Sequence, residues 1–369
     1  MLYASRGDFF CTFAERKSHL QEMAEQKGRT EIAELGEFGL IDELTKGFKP
    51  VCKSTIMGVG DDAAVIEASK DTAIVLSSDS MLEGIDFDLT YFPPKHLGYK
   101  AVTKGISDIA AMNAKPEQIT LALGISSKIS VEFLRDFYEG VEIACREAGV
   151  DLVGGDTTAS VTGLVINITA VGRAKKDKVV YRSGAKQNDL ICITGNLGAA
   201  FMGLRLLERE KRVLADVDKP QPKFEGYEYL LQRYLKPRAR YDIVESLAGE
   251  ELLPTAMIDL TDGLASDVMQ ICKASHCGAR IYLERIPLAK QMSALAEEMH
   301  IDPVVAALNG GEDYELMFTV PLAEKERIMG VGCIDIIGHI TAEGTGAYLV
   351  TPDGGEIRLK AQGFKEKEK

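Results

Sequence analysis

Residues 60–80 read GDDAAVIEASKDTAIVLSSDS. Ala63 to Glu67 and Thr72 to Ser77 are short β-type runs, and the polar residues Ser69 to Asp71 between them form a turn. Two strands joined only by a turn break the strict βαβ alternation of a parallel sheet. The order of elements on either side is equally mixed. Upstream, Ile32, Leu35, Phe38, Ile41 and Leu44 recur every three residues, predicting an amphipathic helix over 31–48. Downstream come a helix from His96 to Met112 and a strand from Glu117 to Gly124. A second helix is opened by Ser130 as N-cap and stopped at Gly149, and strands follow at Asp151 to Val153 and Leu164 to Gly172. The pattern predicts α+β layering over a partly antiparallel sheet.

The charged, turn-rich stretch from Lys175 to Asp189 is the expected boundary to a second half. That half has strands at Leu190 to Thr194, Thr255 to Ile258, Arg280 to Leu283 and Tyr314 to Val320, with final strands from Ile334 onward. Its helices are expected at Leu197 to Glu210, near Tyr227 to Leu235, at Arg240 to Ala248 and after Gly263. The expected organisation is an N-terminal extension over 1–30, a first domain over 31–178 and a second over 179–369. A length of 369 residues suits two domains of ordinary size. No apolar run is long enough for a membrane span, and the first residues make a poor secretory signal, so a cytoplasmic location is expected. Seven scattered cysteines read as free thiols, and the five histidines as structural or surface residues. A formal charge of −13 argues against nucleic acid as the main partner. It does not exclude a phosphorylated ligand, because divalent metal can bridge carboxylates to phosphate oxygens.

Six segments set acids beside glycines or hydroxyl residues: Gly60-Asp61-Asp62, Ser77-Ser78-Asp79-Ser80, Ser107-Asp108, Gly154-Gly155-Asp156-Thr157-Thr158, Asp259-Leu260-Thr261-Asp262-Gly263 and Gly310-Gly311-Glu312-Asp313-Tyr314-Glu315. One such segment alone is an ordinary turn. Together they point further. Asp108 lies in a helical pattern whose neighbours Ile106, Ile109 and Ala110 face a core, where a carboxylate is costly unless a cation or hydrogen bonds compensate. Asp156 follows an apolar strand and two glycines, a strand end that a phosphate can approach closely. Hard oxygen ligands without His or Cys partners select Mg²⁺, and so phosphate chemistry. The chain contains neither a P-loop nor the protein-kinase motif set, so a different ATP fold is required.

In combination these motifs resemble the thiamine-monophosphate kinase family, within the superfamily of aminoimidazole ribonucleotide synthetase. The resemblance also rests on Gly98-Tyr99-Lys100-Ala101 and Arg182-Ser183-Gly184-Ala185-Lys186, and it runs from Gly36-Glu37-Phe38 to about Gly363. It implies a two-domain subunit whose N-terminal halves pair into a homodimer, with thiamine monophosphate and ATP as substrates. By the same resemblance Asp61, Asp62, Ser77, Ser78, Asp79, Asp108, Asp156, Asp259 and Asp262 are the Mg²⁺ ligands, with Asp156 and Asp262 catalytic. Tyr138, Gly155, Asp156, Arg182 and Thr261 are the implied ATP contacts, and Asp86, Glu312 or its neighbour Asp313, and Phe364 form the substrate side.

Three positions depart from the family pattern: Asp86 stands where the family usually has His, Asn113 replaces a Gly, and Thr261 replaces a Ser while keeping the hydroxyl. The implied reaction is direct in-line transfer to an acceptor phosphate that is already an anion, its second pKa being about 6. The rivals are other members of the superfamily and a catalytically silent binding module. A selenophosphate synthetase should carry a reactive Cys in a Gly-rich segment, which Cys11 does not match. The hydrogenase-maturation enzyme should end in Cys, whereas this chain ends in Lys369. A silent module would have no need to retain the acid motifs.

Overall fold

The computed structural model describes residues 32–215 and 221–361. The expected extension over 1–30 and Phe364 lie outside the described residues. Contacts divide the chain into a small unit, Met1–Phe48 with Gln362–Lys369, and a large one, Lys49–Ala361. The described part of the small unit is helix α1, Ile32–Thr45, interrupted at Gly36, where φ is 69°.

The large unit contains two mixed sheets. The first is built from β1 (Thr55–Met57), β2 (Ala64–Glu67), β3 (Thr72–Leu82), β4 (Lys115–Ser126), β5 (Asp151–Ser160) and β6 (Val165–Lys175), with helices α2 (Pro94–Ala111) and α3 (Val131–Ala148). Its strand order is β1-β2-β3-β6-β4-β5. All neighbours are antiparallel except β4 and β5, which run parallel. The partly antiparallel layering read from residues 60–80 is the observed one. Local signals hold as well: Ser130 Oγ accepts from the Phe133 amide at 3.2 Å, and Gly149 ends α3 in the left-handed conformation at φ 66°.

The second sheet takes β7 (Leu190–Thr194), β8 (Ala256–Leu260), β9 (Gly278–Tyr282), β10 (Glu315–Val320), β11 (Ile334–Thr341), β12 (Ala347–Val350) and β13 (Glu356–Arg358). Its order is β13-β12-β9-β11-β7-β10-β8. Around it lie α4 (Ala199–Val213), α5 (Glu228–Leu235), α6 (Tyr241–Gly249) and α7 (Leu264–Ser275), followed by helices over Lys290–Met299, Pro303–Asn309 and Lys325–Gly330. The halves are joined by shared cores. Ala110 and Ala111 at the end of α2 pack with Cys192, Leu316 and Phe318 of the second sheet, and Leu207 and Tyr234 join the core beneath the first. Helix α2 is therefore wedged between the two halves, and residues along it can reach both.

Several strands outrun their expected ends, β3 and β5 by the most. β3 continues through Ser78-Asp79-Ser80 to Leu82, each residue paired with β6 as far as Leu82 opposite Val165. β5 continues through Gly154-Gly155-Asp156 to Ser160, so Asp156 stands within an edge strand and not at a strand end. The glycine has a steric reason: a Cβ at Gly155 would lie 2.0 Å from the Leu121 carbonyl oxygen.

Candidate active site

Alternation along the first sheet sorts the predicted acids by face. Asp79, Ile168, Leu121 and Gly155 form one cross-strand row. Gly105 of α2 packs against Ile168, so this row faces the helix. The adjoining row, Ser80, Asn167, Ala122 and Asp156, faces the other way, as does Ser78, whose hydroxyl meets Thr169 at 3.2 Å. Ser77 and Asp79 are thus on the α2 side, and Ser78 and Asp156 on the open side.

On the α2 side, carboxylate oxygens of Asp62, Asp108 and Asp259 lie within 4.8 Å of one another. They come from the loop before β2, the last turns of α2 and the penultimate residue of β8. The surrounding groups orient them. Arg182 donates from Nε to Asp62 Oδ1 at 3.0 Å and from its amide to both Asp61 oxygens at 3.2 Å. Ser107 donates to Asp259 Oδ2 at 2.5 Å, and Ser77 donates to Asp108. Burial lifts the Asp259 carboxyl to about 7, helped by the charge of Asp62, and burial with Asp62 lifts Asp61 to about 7. Asp108 is held far above the usual carboxylate range by burial, then by Asp259 and Asp79. Buried like charges at this spacing repel unless a cation sits among them, and Asp62 Oδ2 and Asp79 Oδ2 are buried without any hydrogen-bond partner. An all-oxygen set with orphaned acceptors fits Mg²⁺. Asp262 and Thr261 follow β8 at the same end of the sheet, with Asp262 exposed at the rim.

Beside this cluster is a cavity of about 260 Å³ lined by Asp86, Tyr91, Leu204, Glu208, Tyr234 and Glu312 among others. Lys100, fully buried, supports it from below, its ammonium 2.5 Å from Glu312 and 3.9 Å from the Tyr234 ring centre. Burial works to raise the Glu312 carboxyl, but Lys100 and Lys104 overcome it and hold the group below its ordinary value. Asp86 spends one oxygen on the Leu82 amide at 2.7 Å, closing the turn that forms the cavity wall.

Glu312 is aimed by an unusual backbone. Gly311, Glu312 and Tyr314 have φ of 70°, 61° and 53°. The amides of Glu312 and Tyr314 are tied to the carbonyls of Thr261 and Leu260, each at 2.9 Å. A Cβ at Gly311 would lie 2.4 Å from the Thr261 oxygen. Three residues beyond Glu312, Glu315 is clamped by Arg233 at 2.8 Å, by Arg240 at 2.5 Å and by Thr194 at 2.5 Å.

The alternation of left-handed residues separates the two adjacent acids of this motif. The Asp313 carboxylate does not reach the cavity: it is buried, accepting from the Gly198 amide at 2.8 Å and the Ala200 amide at 3.4 Å at the start of α4. Of the two acids expected on the substrate side, Glu312 lines the cavity and Asp313 caps the start of α4.

The predicted nucleotide contacts fall into two groups. Tyr138, Gly155 and Asp156 line a cavity of about 530 Å³ at the β5 edge, with Leu121, Leu152, Gly154 and Thr157. Arg182 and Thr261 stand instead at the acid cluster. Sequence reasoning missed Lys100 and Lys104, and also Asp267, which is buried in α7 with Oδ2 unpartnered. Burial, then Asp262 and Asp259, push the Asp267 carboxyl well up. The available signal was the spacing of Lys100, Lys104 and Asp108, one helical turn apart on α2.

Comparison with known proteins agrees with this architecture. The family model for the N-terminal domain of AIR synthase related protein matches residues 60–174, and the model for the C-terminal domain matches residues 186–350. Thiamine-monophosphate kinase of Buchnera aphidicola from Schizaphis graminum is 36% identical over 340 residues, covering 90% of this chain and 98% of that protein. The Escherichia coli K12 enzyme of the same name is 33% identical over 337 residues, covering 89% and 97%. A solved structure of AaThiL complexed with AMPPCP and TMP is 30% identical, with a TM-score of 0.77 over 91% of this chain and 99% of that one. Hydrogenase maturation protein HypE in complex with ATP, 20% identical with a TM-score of 0.64 over 91% of this chain and 96% of that one, shares the fold. The tandem domains define the AIR synthase related class of two-domain proteins. Within that class the chain belongs to the thiamine-monophosphate kinase family.

Proposed function

We propose that this protein transfers the γ-phosphoryl group of ATP to thiamine monophosphate, giving thiamine diphosphate and ADP, with Mg²⁺ as the metal. The observation that carries the proposal is the meeting of Asp62, Asp108 and Asp259 within 4.8 Å, next to a cavity walled by acids and tyrosines. The relatives named thiamine-monophosphate kinase and the solved complex with AMPPCP and TMP support the choice of substrates.

The residues divide the work by charge. Asp86, Glu208 and Glu312, with the rings of Tyr91 and Tyr234, complement a cationic heteroaromatic ring such as the thiazolium. Asp62, Asp79, Asp108 and Asp259 would hold Mg²⁺, with Asp61 and Ser77 behind them and Asp262 at the rim. When bound, the metal supplies charge neutralisation for the phosphate oxygens. Arg182 keeps Asp62 oriented, and with Thr261 it faces the nucleotide phosphates. An acceptor oxygen attacks the γ-phosphorus as the bond to the bridging oxygen of ADP breaks. With the acceptor's second pKa at about 6, no general base is needed near neutral pH. We assign Tyr138, Gly155 and Asp156 to the rest of the nucleotide, with Ser78 on the same face as Asp156.

A homodimer formed through the first half is part of this reading. Its support is β5, an edge strand whose Leu152 and Val153 are 42% and 60% exposed. Among the described residues no helix is long and apolar enough to cross a membrane, and ATP consumption supports the expected cytoplasmic location.

The test is ADP release with ATP and Mg²⁺, comparing thiamine monophosphate, free thiamine and an aminoimidazole-pathway substrate as acceptors. Turnover confined to thiamine monophosphate is expected. Binding without turnover would make the chain a silent homologue, and turnover with another acceptor would place it elsewhere in the superfamily.

A further inference from the structure

We propose that Lys104 is a catalytic residue: its ammonium binds the acceptor's phosphate group and holds it between the metal cluster and the substrate cavity. This rests on the reading of the site as one that takes a phosphate-ester acceptor.

Lys100, Lys104 and Asp108 follow one another at four-residue intervals on α2, so they share one face of the helix, each about 6 Å from the next along its axis. The outer two mark the two sites. Lys100 is committed to Glu312 at 2.5 Å, under the substrate cavity. Asp108 belongs to the carboxylate cluster. Lys104 therefore stands where the acceptor phosphate and the γ-phosphoryl group must meet.

The charges around it agree. The acids around Lys104 include Glu312, Asp79, Asp86 and Asp108, drawn from the β10 approach, β3, the cavity wall and α2 itself, and also Asp262 after β8. No close ion pair or hydrogen bond ties Lys104 to any of them among the described residues, in contrast to Lys100 with Glu312 and Arg182 with Asp62. Lys104 is half-buried, its helix packed against β3 and β6, so its charge lies under the surface without a fixed partner. Lys100 and Arg182 are already paired with Glu312 and Asp62, so Lys104 is left to offset the repulsion that an acceptor phosphate meets among these carboxylates. A flexible ammonium with three donors suits an oxyanion that changes position and charge during transfer.

Lys104→Met and Lys104→Arg, compared with wild type by calorimetry in Mg²⁺, separate this role from a structural one. The probes are thiamine monophosphate and free thiamine, which differ only in the phosphate. Lys104→Met is expected to weaken binding of thiamine monophosphate by about 10- to 100-fold while changing thiamine binding less than about twofold. Lys104→Arg should recover part of the loss. Equal weakening of both ligands, or no weakening of either, overturns the proposal. If Lys104→Met does not fold, Lys104→Gln replaces it and is read in the same way. A wild-type protein that binds neither ligand overturns the proposed function as well, whereas wild-type turnover with unimpaired Lys104→Met overturns the role of Lys104 alone.

Discussion

Magnesium should stabilise this protein far more at slightly alkaline than at slightly acidic pH. The Asp259 carboxyl, ordinarily ionising near 3.8, is lifted to about 7 by burial and then by Asp62, and Asp61 is lifted to about 7 in the same way. In the unfolded chain both ionise at their ordinary values, so between about pH 4 and 7 the metal-free folded state holds protons that the unfolded state has lost. Its stability therefore falls as pH rises through that interval and levels off above it. For Asp61 the whole interval is worth roughly 4 kcal/mol, and Asp259 acts in the same direction.

Metal requires the ionised form. At about pH 5.5, removing one such proton costs roughly 2 kcal/mol, equivalent to about 30-fold weaker apparent magnesium binding, and at about pH 7.5 the cost is near zero. His96 and His339, held below 6.5 chiefly by burial, work in the opposite direction, since their stability contribution is lost as pH falls. The readout is therefore the magnesium-induced rise in Tm at each pH, in which the histidine contributions cancel. Calorimetry in buffers of different ionisation enthalpy should also show proton release on binding at about pH 6. A magnesium-induced rise that is the same at both pH values, with no protons released, would refute the assignment of these carboxylates to the metal.

Other perturbations follow from particular contacts. Gly311→Ala puts a Cβ 2.4 Å from the Thr261 oxygen on a residue with φ of 70°, so Glu312 should be displaced and kcat/KM for the acceptor should fall by about 10-fold or more; unchanged kinetics would detach the loop from substrate binding. Asp313→Ala should cost about 1–3 kcal/mol of stability through the uncapped start of α4; an altered KM at unchanged stability would return Asp313 to the substrate side. Asp156→Asn should abolish turnover through lost nucleotide binding while leaving circular dichroism and Tm near wild type, and near-normal activity would remove Asp156 from the nucleotide site.

Much of this was legible in the sequence because the signals were local. The turn at residues 69–71, the Ser130 cap and the Gly149 stop each act through neighbouring backbone groups and appear as expected. The six acid motifs were legible as a group, since acids beside glycines and hydroxyls recur whatever the tertiary arrangement. What required the fold was register and direction. Asp156 and Asp79 look equivalent in sequence, yet pairing through β6 and β4 puts them on opposite faces of one sheet. Glu312 and Asp313 are adjacent acids, and only the left-handed backbone at 311, 312 and 314 sends one to the cavity and the other to the start of α4. The Gly154-Gly155 pair looked like a strand end because glycine usually interrupts strands, whereas here close approach to Leu121 requires it within one. Lys100 is legible in the sequence only as part of the Gly98-Tyr99-Lys100-Ala101 motif and Lys104 not at all, because their placement depends on α2 being wedged between the two halves.

The central claim is most directly tested by following one turnover by ³¹P NMR with ATP, Mg²⁺ and thiamine monophosphate. Thiamine diphosphate and ADP should appear together, at equal rates and without inorganic phosphate. Release of inorganic phosphate without thiamine diphosphate, or a stable phosphoenzyme formed without acceptor, would contradict direct transfer between the two substrates.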